Sequence, residues 1–95
     1  MNDRAQYRFA VNVMPKAGIL DPQGRAVEGS LGHLGVETVS AVRVGRRVEL
    51  AVEAATEAAA RATVDHLAGE LLANPLIEVY AVELLSSAAG AEVAR

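Results

Sequence analysis

The residues of this chain best suited to chemistry are three arginines grouped around one glycine, in Arg43-Val44-Gly45-Arg46-Arg47. A guanidinium is a planar fork of donors that grips a carboxylate at two points, so this group can dock acidic residues of a partner. The plainer alternative is a charged strand edge that resists aggregation. Glu49 and Glu53 stand close enough in sequence to pair with the cations at small net gain. Other candidates carry less. His33 and His66 fall on different predicted helices, each without a second histidine at metal-ligand spacing. The run Gly24-Arg25-Ala26-Val27-Glu28-Gly29-Ser30 faintly resembles a phosphate loop. It lacks the lysine that reaches the phosphates, and it follows a proline-led helix start where a strand is required. That helix start could hold an anion through its free N–H groups, but Asp21 at the cap already supplies negative charge there. Ser30, Ser40, Ser86 and Ser87 have no neighbouring base and no nucleophile elbow. There is no cysteine, hence no thiolate site and no disulfide framework. The residues therefore predict no catalytic, cofactor-binding or metal site on this chain, and a chain that folds without such chemistry acts by binding.

Size and composition agree with a binding role. A chain of 95 residues makes one domain with one core. It is 52% apolar but only 3% aromatic, so the core is built from Val, Leu, Ile and Ala. Such side chains fill a thin two-layer core well and line a deep pocket poorly. The apolar surplus implies faces covered by a partner, and a homodimer or higher homo-oligomer is expected. A net charge of −3, with no basic arm and no aromatic stacking set, argues against nucleic acid. No run approaches the ~18 apolar residues of a membrane span. The opening Met1-Asn2-Asp3-Arg4-Ala5-Gln6 has no apolar signal core. A cytoplasmic location with no membrane partner is the expectation.

The elements that must position these residues can be read in order. Tyr7, Phe9, Val11 and Val13 alternate with Arg8 and Asn12, predicting a strand over 6–14 with one buried face, stopped by Pro15. Asp21 as N-cap and Pro22 at the first helical position start a helix. Ala26, Val27, Ser30, Leu31 and Leu34 follow at helical spacing, and Gly35 ends it. Gly29, Gly32 and Gly35 recur every third residue, giving either a weak helix or a smooth face for close approach of another backbone. Val42, Val44, Val48, Leu50 and Val52 all fall on even positions within 36–54, with Arg46 the single exception. One long bent strand explains that phase; a hairpin turning at Gly45-Arg46-Arg47 explains it too. Thr56 caps a second helix to about Ala73, with Ala60, Val64, Leu67, Ala68, Leu71 and Leu72 as its buried stripe. Asn74-Pro75 breaks it, and residues 76–84 form the last strand. The expected fold is an α+β two-layer sandwich, a mostly antiparallel sheet with two helices on one face. Its order is β-α-β-α-β, or β-α-β-β-α-β and ferredoxin-like if the middle is a hairpin. Residues 1–6 are expected to be a disordered extension, 7–84 the domain and 85–95 a flexible tail.

Three segments, in order, resemble one family. They are Leu20-Asp21-Pro22-Gln23-Gly24, Val42-Arg43-Val44-Gly45-Arg46-Arg47-Val48-Glu49-Leu50 and Leu71-Leu72-Ala73-Asn74-Pro75-Leu76-Ile77-Glu78. Together they look like the PurS family, the small subunit of phosphoribosylformylglycinamidine synthase, over residues 7–84. The resemblance implies a holoenzyme that converts formylglycinamide ribonucleotide, glutamine and ATP into formylglycinamidine ribonucleotide, glutamate, ADP and phosphate. It implies a glutaminase subunit that releases ammonia and a large synthetase subunit that uses ATP and Mg. The small subunit then bridges the two, with no cofactor of its own. Asp21, Gln23, Arg43, Arg46 and Arg47 are the candidate contact residues, being polar and beside the family-like segments. Two other classes are weighed. One is a regulatory domain that binds a small molecule as a dimer, with Gly29, Gly32 and Gly35 as the place of close approach. The other is an acylphosphatase-type enzyme, which needs an arginine cradle beside an asparagine that Asn12 and Asn74 lack in sequence.

Overall fold

The computed structural model describes residues 4–88. The chain runs β1 (Ala5–Pro15), α1 (Pro22–Ser30), a 3-10 turn (Leu31–Leu34), β2 (Arg46–Ala54), α2 (Glu57–Leu67), a π turn (Ala68–Leu72) and β3 (Glu78–Ala88). The three strands make one antiparallel sheet in the order β2-β1-β3. The α+β class, the antiparallel sheet and the two helices are as the sequence predicts.

β1 lies at the centre because it carries the heaviest apolar row. Phe9 and Val11 are fully buried and Val13 nearly so. Phe9 sits between Leu50 and Leu84, and Val11 between Val48 and Val82, so the even positions of β2 complete the same face. On the other face Ala10 is buried between Glu49 and Glu83 of the neighbouring strands. α2 roofs the apolar face. Thr56 caps it by accepting a hydrogen bond from the Ala59 N–H at 3.1 Å. Ala60, Val64 and Ala68, one turn apart, pack onto Phe9, Val11 and Val13. Two of these three are alanines, which bring the helix close to the sheet. The Arg61 guanidinium also lies over the Phe9 ring, 5.5 Å from its centroid.

Four expectations are corrected. Leu71, expected in the α2 stripe, is 73% exposed. The cause is the π turn: the Ala73 N–H bonds the Ala68 carbonyl at 2.9 Å, one residue wider than an α turn. The added residue rotates Leu71 outward and carries the buried row on to Leu72 and Ala73. Secondly, only α2 covers the sheet. α1 has Gly24 as its one buried residue, while Val27 is exposed. Its sequence offers Ala26 and Val27 but no continuous apolar stripe, so it has nothing to bury there. The chain is accordingly elongated, 60 × 30 × 15 Å with a radius of gyration of 17.8 Å, against about 12 Å for a compact chain of this length.

The third correction concerns the middle strand, which is neither long nor a hairpin. β2 starts at Arg46, and residues 36–45 take no regular structure. Ala41 has φ 58, which breaks any extended run. Continuing the register would set Pro15 opposite Val44, and proline has no N–H to give a ladder. Lastly, the outer ends of β1 and β3 run further than the expected strands. Ala5 and Gln6 belong to β1, and β3 runs on through Ala88, pairing Ser86, Ser87 and Ala88 with β1. The rest of the expected extension and tail, 1–3 and 89–95, lies outside the described residues.

Three substitutions test this packing by urea unfolding. Phe9→Ala is expected to cost about 3–5 kcal/mol. Gly45→Ala is expected to destabilise as well, because a Cβ there collides with the Val13 carbonyl oxygen and Met14 Sδ. Gly29→Ala, in open space on α1, is expected to stabilise by up to about 1 kcal/mol. A Gly45→Ala midpoint equal to wild type would contradict the close approach of β1 and β2.

Candidate functional site

The densest polar construction gathers at the end of the sheet where β1 stops. Pro15 ends the ladder, Gly18 turns the chain with φ 82, and the Lys16 N–H bonds the Ile77 carbonyl at 2.8 Å. The chain thus reaches Asp21 directly beside the start of β2. Asp21 caps α1 through Oδ1, which accepts from the Gly24 N–H at 3.0 Å. Its Oδ2 accepts from the Val44 N–H at 2.9 Å and lies 3.8 Å from Arg43 Nε. Its side chain is only 10% exposed. The two N–H donors, Gly24 first and Val44 second, hold its carboxyl below the usual aspartate range, with Arg43 adding to them and burial opposing. Two turns further along α1, Glu28 Oε2 accepts from the Val42 N–H at 2.7 Å. Arg43 reaches the other way, donating to the Pro15 and Lys16 carbonyls at 2.7 and 3.0 Å.

Arg46 and Glu78 form the second construction. Both lie on the helix-covered face, Arg46 opposite Val13 and Glu78 opposite Pro15. Their contact is bidentate, with Nη1 to Oε2 at 2.9 Å and Nη2 to Oε1 at 3.0 Å. Arg46 also donates to the Leu72 carbonyl in the π turn, and Glu78 Oε1 accepts from the Asn74 N–H at 2.7 Å. One pair therefore ties β2, β3 and the end of the α2 segment together. The Arg46 hydrogen bonds hold the Glu78 carboxyl below its usual range, helped by the Asn74 N–H, and Glu78 pushes Arg46 up in turn.

Between these constructions lies an open cleft of about 530 Å³. Asp21, Gln23, Arg46 and Glu78 supply its polar lining, and Ile19, Leu20 and Ile77 its apolar rim. Arg43 lines a second depression on the other side of Asp21, together with Arg25 and Glu28. Four of the five candidate residues thus gather at one end of the molecule. Arg47 does not: it points to the open face of the sheet, where it bonds Glu49 at 2.9 Å and Glu83 at 3.2 Å. Glu49 and then Glu83 push its pKa up. Arg47 also donates to Asn12 at 3.1 Å, a proximity the sequence did not reveal. The place is flat and flanked by two carboxylates, which repel the anion an acylphosphatase-type site must hold. Glu28 and Glu78, both central to the end of the sheet, were missed. A signal existed for each. Glu28 follows Asp21 by seven residues, the same face two turns on, and Arg46 is the one charge on the apolar parity of β2, which demands a carboxylate across the sheet.

Gly29 and Gly32 have open space around them: among the described residues nothing lies within 4 Å of where a Cβ would stand. Among the described residues no group of three His, Asp or Glu side chains stands close enough to hold a metal. No described helix is long and apolar enough to cross a membrane.

The sequence profile of the PurS family, described as phosphoribosylformylglycinamidine (FGAM) synthase, matches residues 8–86, from within β1 to within β3. The chain belongs to the PurS family. It is 41% identical over 78 residues to the phosphoribosylformylglycinamidine synthase subunit PurS of Synechocystis sp., covering 82% of this chain and 78% of that relative. To the Mycobacterium leprae subunit PurS it is 43% identical over 75 residues, covering 79% and 91%. Among solved structures, it resembles a chain of PurLQS from Thermotoga maritima with a TM-score of 0.77 at 32% identity, over 84% of this chain and 98% of that one. Thermus thermophilus PurS gives 0.69 at 43% identity, over 85% and 99%. The family match takes in the segments that build the cleft.

The two lowered carboxyls make the stability of this end acid-sensitive. A carboxyl whose folded pKa is depressed contributes stability above its unfolded pKa, and loses it as pH falls through the folded value. Asp21 and Glu78 are therefore expected to steepen the loss of stability below about pH 4. Urea midpoints taken from pH 7 to pH 3 should fall less steeply in Asp21→Asn/Glu78→Gln than in wild type. An equally steep fall would show that neither carboxyl is engaged as described.

Proposed function

We propose that this chain is the small, non-catalytic subunit of phosphoribosylformylglycinamidine synthase, holding a glutaminase subunit against a large ATP-dependent synthetase subunit in the cytoplasm. The observation that carries this reading is the span of the family match, residues 8–86, which reaches from within β1 to within β3 and includes β2 and both helices. PurLQS from Thermotoga maritima, the assembly of a structural relative, supplies the kind of partners. ATP and Mg belong to the synthetase subunit in this reading, and this chain binds neither.

The physical task is to keep ammonia from escaping. Ammonia released at one active site is protonated or diluted before it reaches another, unless the two sites are held together. A bridge raises their effective concentration without any new bond-making. The surface suits this work. Leu20, Leu34, Leu71 and Leu76 are 68%, 75%, 73% and 81% exposed, more large apolar side chains than a small monomer leaves in water without reason. Some meet the larger subunits and some a second copy of this chain, as a homodimer or higher homo-oligomer. At the cleft, Gln23 and the apolar rim of Ile19, Leu20 and Ile77 offer direct contact. Asp21, Arg43 and Arg46, whose polar atoms are engaged within the chain, hold that surface in shape, and Arg47 serves the open face.

Reconstitution with purified glutaminase and synthetase subunits tests the reading. Omitting this chain is expected to abolish glutamine-dependent synthesis while synthesis from added ammonium salts continues. The chain alone should hydrolyse no glutamine. A full glutamine-dependent rate without it would overturn the bridging role.

A further inference from the structure

α1 is attached to the rest of the protein in an unusual way. It buries no side chain against the sheet. What holds it is a pair of carboxylates two turns apart on one face, Asp21 and Glu28, that accept the N–H groups of Val44 and Val42 at 2.9 and 2.7 Å. Val42 and Val44 are alternate residues of the segment leading into β2, so their N–H groups point to the same side. Where a neighbouring strand would present two carbonyl oxygens, α1 presents two carboxylates. Charge-assisted bonds of this kind are shorter and stronger than those between neutral groups. Arg43, between the two valines, points the other way and fastens the same segment to the end of β1 through the Pro15 and Lys16 carbonyls. A Cβ on Gly24 would strike the Val42 carbonyl oxygen and the Asp21 carboxylate, so the helix also comes as close as a glycine permits.

We propose that Asp21 and Glu28 form a two-carboxylate clasp that sets the angle of α1 and its 3-10 turn against the sheet, and that opening the clasp frees this arm as a unit while β1, β2, β3 and α2 stay folded. The body keeps its own core of Phe9, Val11, Val13, Ala60, Val64 and Ala68, and no residue of α1 is among the apolar side chains packed against it. The arm has no comparable core, so its orientation depends on polar contacts alone. Whatever grips the arm and the sheet together meets an angle fixed by these two side chains. The inference stands on this chain's geometry and holds whether or not the assembly reading above is correct.

Amide hydrogen exchange on the full-length chain, read residue by residue by NMR, tests it. Asp21→Asn keeps an oxygen for the Gly24 cap, since asparagine caps well, but surrenders the second oxygen that Val44 uses. Glu28→Ala removes the acceptor for Val42, and Glu28→Gln retains one. The Val44 amide in Asp21→Asn and the Val42 amide in Glu28→Ala are each expected to exchange about fivefold faster or more, from the loss of one hydrogen bond, with Glu28→Gln close to wild type. In Asp21→Asn/Glu28→Ala, α1 amides such as Arg25 lose protection together while Phe9, Val11 and Leu50 keep theirs. Two results overturn the proposal: unchanged protection at Val42 and Val44 in the double variant, or loss of sheet protection along with the arm, including outright unfolding.

Discussion

The core of this protein is one layer deep, and most of its construction follows from that. Phe9, Val11 and Val13 on the central strand meet Ala60, Val64 and Ala68 on one helical segment, and among the described residues no second apolar layer lies behind either. Burial of apolar surface supplies roughly 25 cal/mol per Å², so a core this thin stabilises what it touches and little else. The alanines of α2 bring helix and sheet close together, which packs Phe9 fully but leaves no apolar grip for the first helix or the loops at the far end of the sheet. Those parts need another kind of bond.

That bond is the hydrogen-bonded carboxylate. Asp21, Glu28 and Glu78 each accept at least one backbone N–H, and Asp21 and Glu78 also face an arginine. An ion pair between exposed side chains contributes little, and these groups are partly exposed. Their worth lies in joining segments distant in sequence. Arg46 with Glu78 unites β2, β3 and the π turn, and Asp21 unites the α1 cap with the entry to β2. The joints are few, short and directional, so they fix angles where a greasy contact would allow sliding. All of them gather at one end of the sheet, and the opposite face carries a flat net of Arg8, Arg47, Glu49 and Glu83.

How much of this was legible depends on the range of the interaction. Caps and alternation are local, so Asp21, Thr56, Gly35 and the buried row of β1 could all be read from neighbouring residues. The even-position phase of β2 was read correctly, but its length was not. The sequence says which way side chains alternate, whereas the start of a strand depends on whether the neighbour can pair, and Pro15 on β1 cannot. Leu71 was misplaced because a strict 3.6-residue period cannot register one π turn. A two-layer α+β reading places α1 on the sheet, although its own residues carry no continuous apolar stripe. Charge grouped around Gly45 reads in sequence as a patch offered outward, and in the fold each of these guanidiniums also finds partners within the chain. Glu28 and Glu78 lie 14 and 32 residues from the groups they bind, so the local signals, a carboxylate two turns after Asp21 and a lone charge on the apolar parity of β2, do not name the partner.

This division between a shallow core and polar joints bears on what a bridging subunit requires. A linker that is too compliant gains little effective concentration, because its ends explore too large a volume. A small chain cannot become stiff by enlarging its core when it has only one layer to fill. It can become stiff by fixing the angle between a folded body and a projecting arm with short charge-assisted bonds. Those bonds leave the apolar residues Leu20, Leu34, Leu71 and Leu76 exposed and therefore available to other chains. In a protein of the PurS family the same economy of apolar residues explains two features at once: a monomer that is elongated and poorly covered, and one that is nonetheless well defined where its segments meet. The carboxylates fix angles and the leucines stay exposed, and the two can change independently.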